Sequence, residues 1–355
     1  MQYRIALIPG DGIGPEVVKA GVQVLETVAA VCGFTIVWTD FPYSCTYHLV
    51  HGGMISEDGF EMLGQHDAIL LGAVGDPRLV PDHVSLRGLL LPLRQRFDLY
   101  VNYRPARLLA GLPSPLKGDP PFDFVVVREN SEGEYAGTGG RVRVGTPDEV
   151  ALQTTVFTRK GVERIVRYAF DLARKRRKKV TSATKSNAMQ YVFVMWDEVV
   201  EQVAREYPEV EVQRYHADAL AALLVRDPGR FDVIVASNLI GDILTDLAGA
   251  LQGSLGLPAS ANLNPEHLAP SLFEPVHGSA PDIAGRGIAN PLATFWAASL
   301  LLEYLGQKAA AALLLHAVET VIAQGRVLTP DLGGQATTGE VTQAVIQALR
   351  QGQVL

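Results

Sequence analysis

The stretch "ALIPGDGIGPEVV", residues 6–18, decides how the rest of the chain is read. An apolar run ends at Pro9, glycines follow at 10, 12 and 14, and the helical pattern "PEVVKAGVQVLETVA" begins at once. Strand, glycine turn and helix are the parts of a dinucleotide-binding unit, whose G-x-G-x-x-G turn brings a pyrophosphate to the helix N-terminus. Here the order is G-x-G-x-G, with Pro15 where the third glycine would stand. The next strand, "FTIVWTD", ends at Asp40, farther along than a ribose-binding acid usually lies. Two readings stay open at this point: a pyrophosphate cradle with one glycine displaced, or a plain tight turn.

Outward from that turn, the 355 residues are long for one domain and sufficient for two. Hydrophobic residues make up 48% and charged residues 19%, an ordinary balance for a soluble α/β enzyme. A net charge of -7 argues against nonspecific nucleic-acid binding, though not against a local basic pocket for an anion. Only Cys32 and Cys45 are present, so no disulfide framework exists and a cytoplasmic location is expected. No apolar run of roughly 18 residues and no signal peptide are visible, which predicts no membrane association. The basic run "RKRRKK" at 174–179 has the composition of a nucleic-acid patch. It also closes an amphipathic helix, where cations favour the helix dipole, and precedes a strand; the structural reading is preferred.

Strands and helices alternate through the first hundred residues, with "RIALIP", "FTIVWT" and "AILLGAV" as buried strands, a parallel-sheet signature. From Tyr103 the chain turns proline-rich, then supplies the strand "DFVVVRE", a glycine-rich polar loop "NSEGEYAGTGGRVRVG" and the alternating "VALQTTVFT". Alternation then resumes: helix 159–176, strand 179–183, helix 187–206, strand 210–215, helix 217–225, strand "DVIVAS" and helix 238–252. A long segment, "SLFEPVHGSAPDIAGRGIANP", reads as a loop too long to be structureless without a function. Helices at 291–305, 308–324 and from Thr338 close the chain, with no linker or repeat.

Three groups of residues could carry chemistry. Arg94, Arg104 and Arg128 suit carboxylate recognition by the planar guanidinium fork, although arginines this closely spaced are commonly surface or ion-pair residues. Asp242 and Asp246 lie four apart on a predicted helix, a like-charge pair that is unfavourable unless a divalent cation joins it. Oxygen ligands suit Mg2+ or Mn2+, Asp218 is a candidate third carboxylate, and the plainer alternative is a solvated acidic face. Lys185 after "VTSAT" and Tyr135 in "EGEYAG" could serve as base and acid near a metal, although a lone lysine after a strand is usually only exposed.

In this order, "IPGDGIGPEV", "LRQRFDLYVNYRPAR", "VVRENSEGEY", "TKSN", "NLIGDILTDLAGALQGSLGLPASANL", "EPVHGSAPDIAGRGIANP" and "TPDLGG" span essentially the whole chain. Together they resemble the isocitrate/isopropylmalate dehydrogenase family of metal-dependent decarboxylating dehydrogenases, and within it the tartrate and D-malate branch. The resemblance implies an isopropylmalate-dehydrogenase-like two-lobed α/β fold that is not a Rossmann fold. It implies an outer, cofactor-binding lobe from 1–102 plus 254–355 and an inner lobe from 103–253 carrying the metal and substrate residues and a dimer interface. Homodimers with shared active sites are expected.

By the same resemblance, Arg94, Arg104 and Arg128 bind the malate carboxylates, with Leu90 beside the variable group. Tyr135 and Lys185 form the acid–base pair, Lys185 coming from the neighbouring subunit. Asp242 and Asp246, with Asp218 of that neighbour, hold Mg2+ or Mn2+, and K+ is a candidate monovalent cofactor. NAD is held by Ile13, Asn187, Glu274, His277, Gly278, Ser279, Ala280, Asp282 and Asn290. Asp282 would accept bonds from the ribose hydroxyls and repel a 2′-phosphate, which favours NAD over NADP. The cradle reading of Asp40 then lapses, and the opening turn lies beside the cofactor.

The segment "SLRGLLLPLR" places Gly88 and Leu90 where isocitrate enzymes typically carry Ser-x-Asn, and Leu91 where some homoisocitrate enzymes place arginine. "RENSEGEYAG" departs from the "REL-x-GGIYFG" usual in isopropylmalate enzymes. Oxidative decarboxylation of D-malate, with tartrate as a further substrate, is therefore expected. The alternatives are a 3-isopropylmalate dehydrogenase of leucine biosynthesis and a broad-specificity enzyme; Arg87 leaves a carboxylate-bearing substituent open. A noncatalytic regulatory subunit would have lost catalytic or metal residues, and all are present.

Overall fold

The computed structural model describes residues 1–352. Its strands are β1 (Gln2–Gly10), β2 (Thr35–Asp40), β3 (Ala68–Ala73), β4 (Val101–Arg107), β5 (Asp123–Glu129) and β6 (Gly133–Val142), then β7 (Val150–Val156), β8 (Lys179–Thr184), β9 (Glu211–His216), β10 (Val233–Ala236), β11 (Ala259–Leu263) and β12 (Ser271–Pro275). The chain forms two compact units. One comprises Met1–Leu99, Leu108–Asp119 and Gly249–Leu355, the other Tyr100–Arg107 and Pro120–Ala248.

In the first unit the strands lie in the order β2-β1-β3-β12-β11. All neighbours are parallel except β11 and β12. β3, "AILLGA", is buried at every position, as a strand covered on both faces must be. Helix Gly14–Cys32 starts with proline in its first turn, a position where a missing N–H costs nothing, and ends on Gly33 in the left-handed conformation. It packs with helices Leu292–Tyr304, Lys308–Gln324 and Thr338–Gln351. Both β1 and β3 end at the opening turn, where the Asp11 amide donates to the Ala73 carbonyl at 2.7 Å.

The second unit orders its strands β4-β5-β10-β8-β9, parallel except for β4 against β5. Helix Arg159–Arg174, capped by the Thr158 hydroxyl, packs on helix Val192–Ala204. The basic run 174–179 is tied into this unit: Arg176 bonds to Asp232 at 2.9 Å and Asp123 at 2.8 Å, and the Arg177 amide donates to Asp232. Asp232 is wholly buried, so these cations neutralise a carboxylate at the amino end of the interior strand β10.

Several segments differ from the sequence expectation. The glycine-rich "GEYAGTGGRV" is a strand, β6, paired antiparallel with β7 in a separate hairpin. A short strand, β12, opens the segment read as a loop, and β11 forms in a stretch for which the pattern predicts no element. The helix expected from 187 begins at Val192, because turns at Lys185–Met189 precede it. In each case the pairing partner or the turn is set by contacts that local pattern does not record.

Candidate active site

In the second unit the chemistry-bearing residues follow the carboxyl ends of parallel strands. Arg128 is near the end of β5, Lys185 follows β8, Asp218 follows β9, and the helix bearing Asp242 and Asp246 follows β10. Open parallel sheets bind ligands at that edge, where loops and helix N-termini converge. Asp242 is the centre of one cluster. Its Oδ1 accepts from Arg104 at 3.1 Å and from Arg128, while its Oδ2 accepts the Tyr135 hydroxyl at 3.1 Å. The Arg128 side chain is 1% exposed and that of Asp242 33%, so a buried cation is presented beside an accessible carboxylate.

Supporting bonds hold this cluster in place. Asn238 Oδ1 accepts Arg128 Nη2 at 2.7 Å, and the Thr245 hydroxyl accepts Arg104 Nη1 at 2.6 Å. Glu134, next to Tyr135, accepts the Ser237 hydroxyl at 2.9 Å and the Leu239 amide at 3.0 Å. It thereby caps the helix that carries Asp242 and sets its register against β6. Asp246 lies one turn further on the same helix; partial burial and then the Asp242 charge raise its carboxyl, against the pull of Arg104 and Arg128. Burial and the Asp242 charge likewise raise the Tyr135 phenol, which keeps its proton available for donation.

Lys185 and Asp218 form a second cluster, with Nζ 2.9 Å from Oδ1. The lysine beside it depresses the Asp218 carboxyl. No group of three or more acidic, histidine or cysteine side chains suited to a metal gathers among the described residues. Within one chain, then, Asp242 and Asp246 share a helix face, and Asp218 pairs with Lys185. Asn187 is exposed in the turn after Lys185.

In the first unit Arg94 is buried with Glu274, Nη2 to Oε1 at 3.4 Å, and Asn262 donates to the same oxygen at 2.8 Å. Leu90 and Arg87 lie in a wide turn within the helical stretch 82–96, where the Leu91 amide donates to the Leu86 carbonyl five residues back. Pro92 accounts for that turn: it has no N–H for the Gly88 carbonyl and its ring crowds that oxygen. Arg87 is exposed, Leu90 partly buried against the core and Leu91 buried. A Cβ on Gly88 would stand 2.5 Å from Met54 Cγ, so a larger side chain there must displace Met54.

After β12 the chain runs without regular structure to helix Leu292–Tyr304. In this loop His277 Nε2 is buried without a protein partner, and burial lowers the imidazole's basicity. Gly278 and Asp282 are exposed, Ser279 is buried, and Ala280 holds a φ of 38°. A non-glycine residue in that conformation costs on the order of 1 kcal/mol and persists at ligand clamps. Asn290 donates to Asp331 at 2.9 Å and accepts the Leu292 amide at 3.0 Å. An orphaned buried nitrogen beside exposed backbone and an acid suits a polar ligand such as a dinucleotide.

Asn238, Thr245, Glu134 and Asp331 received no role from sequence reasoning. The adjacency of Glu134 to Tyr135 and the "TPDLGG" motif around Asp331 were the available signals; their bonding partners lie about 100 and 41 residues away, beyond local pattern.

Comparisons with known proteins bear on the family. Residues 4–345 match the family model described as isocitrate/isopropylmalate dehydrogenase. The chain is 54% identical to the "Probable tartrate dehydrogenase/decarboxylase" of Bacillus subtilis (strain 168), covering 99% of each. It is 53% identical to the "D-malate dehydrogenase [decarboxylating]" of Escherichia coli (strain K12), covering 98% of each. The crystal structure of isocitrate dehydrogenase from Methylococcus capsulatus superposes with a TM-score of 0.90 at 38% identity, covering 98% of this chain and 100% of that one. Dehydrogenases of this family generally use NAD and a divalent metal. The chain belongs to the isocitrate/isopropylmalate dehydrogenase family.

Proposed function

We propose that this enzyme oxidatively decarboxylates D-malate, with tartrate as a further substrate: D-malate and NAD yield pyruvate, CO2 and NADH. The observation that carries the reading is the Asp242 carboxylate with Arg104, Arg128 and the Tyr135 hydroxyl converging on it. That arrangement pairs carboxylate recognition with a positioned proton donor. The two relatives above bear names of this chemistry and share more than half of their residues with the chain.

Arg104 and Arg128, with Arg94, bind and orient the substrate carboxylates. Lys185 of a second copy accepts the C2 hydroxyl proton, and Tyr135 delivers a proton to C3 after CO2 departs. Asp242 and Asp246, with Asp218 of that copy, would hold Mg2+ or Mn2+, which supplies Lewis acidity at the substrate oxygens. NAD, the hydride acceptor, is assigned to Ile13, Asn187, Glu274 and the loop residues His277, Gly278, Ser279, Ala280, Asp282 and Asn290. Asp282 disfavours the 2′-phosphate of NADP.

A homodimer in the cytoplasm is the working form in this reading. Val142, Val144, Val150 and Leu152 of the β6–β7 hairpin, together with Ile243, are exposed apolar residues of the second unit, a composition suited to an interface. Among the described residues no helix is long and apolar enough to cross a membrane. An initial-rate panel with NAD and Mn2+ against D-malate, L- and meso-tartrate, 3-isopropylmalate, isocitrate and homoisocitrate tests the assignment. D-malate turnover abolished by EDTA is expected; strong 3-isopropylmalate turnover with none on D-malate would move the chain to leucine biosynthesis.

A further inference from the structure

The opening turn meets the segment 274–290 at Ser279 and Ala289. Two acids that the reaction itself does not use lie at these points, Glu16 in direct contact with Ala289 and Asp11 one bond removed from Ser279, through Gly75. Asp11 is 6% exposed. Its carboxylate accepts the Cys45 amide at 3.0 and 3.1 Å and the Gly75 amide at 3.0 Å. The carbonyl of the same Gly75 accepts the Ser279 hydroxyl, and the Ser279 carbonyl in turn accepts the Ile13 amide at 2.8 Å. Ser279 is therefore pinned through side chain and backbone immediately before Ala280, the residue held at positive φ.

The turn's glycine pattern follows from this closeness. Gly12 has a φ of +58°, and a Cβ there would stand 1.9 Å from the Ser279 carbonyl oxygen. At the other end of the loop Glu16 accepts the Ala289 amide at 3.3 Å and the Thr338 hydroxyl. Thr338 also reaches the Ala289 carbonyl at 2.6 Å. Between these anchors Ile13, Val17 and Ala289 form a small buried cluster against which Ala280, Ile283 and Ala284 pack.

We propose that the turn "GDGIGPE" clamps the dinucleotide loop, with Asp11 and Glu16 as its positioning residues at the Ser279 and Ala289 ends. The inference rests on reading residues 274–290 as the NAD loop. A carboxylate bonded to two backbone amides provides a rigid, charge-assisted anchor, and rigidity at Ser279 is what sustains the strained backbone at Ala280. Neither acid touches the reacting atoms, so their loss should weaken nucleotide binding and leave the chemical step in place.

The test is NADH binding by fluorescence titration, with steady-state kinetics, on the full-length wild type, Asp11→Asn and Glu16→Ala. Asn at position 11 keeps the shape but turns an NH2 toward an amide donor. Folded Asp11→Asn is expected to bind NADH at least about tenfold more weakly and to raise the KM for NAD in step. Its kcat and KM for D-malate should stay within about threefold. NADH affinity within twofold of wild type in the folded variant overturns the clamp. If Asp11→Asn does not fold, Glu16→Ala carries the same criterion at the other anchor. Wild-type protein that fails to bind NADH overturns the dinucleotide reading and the clamp together; equal binding by wild type and variant overturns the clamp alone.

Discussion

Asp242 illustrates what one side chain can be asked to do. It pairs with two arginines, orients a tyrosine and, in the proposed reaction, contributes to a cation site. Asp242→Asn removes the charge that makes those roles compatible. Turnover is expected to fall by at least about 100-fold and to lose its saturable dependence on Mn2+. Full turnover by this variant without a divalent cation would sink the scheme. Residue identity and the i, i+4 spacing of Asp242 and Asp246 were legible in the sequence, because a helix period places them on one face. That Arg104 and Arg128 meet on Asp242 was not, since their separations of 138 and 114 residues leave no local trace.

At the scale of elements, the helical stretch before Arg94 shows a local rule with a functional consequence. Pro92 forces a wide turn over Leu86–Leu90, and one residue inserted there shifts the phase of the side chains before it, Arg87 among them, by up to about 100° relative to Arg94. Pro92→Ala permits an ordinary helix and should turn these side chains away from their present direction. The KM for D-malate is expected to rise several-fold with the melting temperature unchanged or higher, since a helix-interior proline is itself unfavourable. An unchanged KM for every acid in the substrate panel would show that this turn does not shape the site. The buried strands β1 and β3 were readable, because propensity and pattern agree there. β2, read as buried, is a largely exposed strand because it ends the sheet and has a neighbour on one side only. The strands β6, β11 and β12 were not readable: glycine-rich or short sequences become strands only when a paired neighbour supplies the hydrogen bonds.

At the scale of the whole molecule, one chain presents two separate clusters, Tyr135 with Asp242 and Lys185 with Asp218. If each working site draws one cluster from each of two copies, Lys185→Ala and Asp242→Asn are inactive alone yet complementary. Unfolded together and co-refolded, they should regain about a quarter of wild-type activity, because half the dimers are mixed and each mixed dimer holds one intact site. Activity no greater than the sum of the two variants would rule out sharing. The sequence by itself determined the set of chemical groups and placed those on strongly patterned strands and helices, because side-chain chemistry and hydrophobic period are local properties; the family followed from the resemblance of its ordered motifs. Only the tertiary structure decided what "PGDGIGPEV" touches. Its glycines have the look of a phosphate cradle, yet Gly12 abuts the Ser279 carbonyl and Asp11 holds Gly75. Those partners are distant along the chain, and contacts of that range exist only once the sheet has brought the carboxyl ends of its strands together.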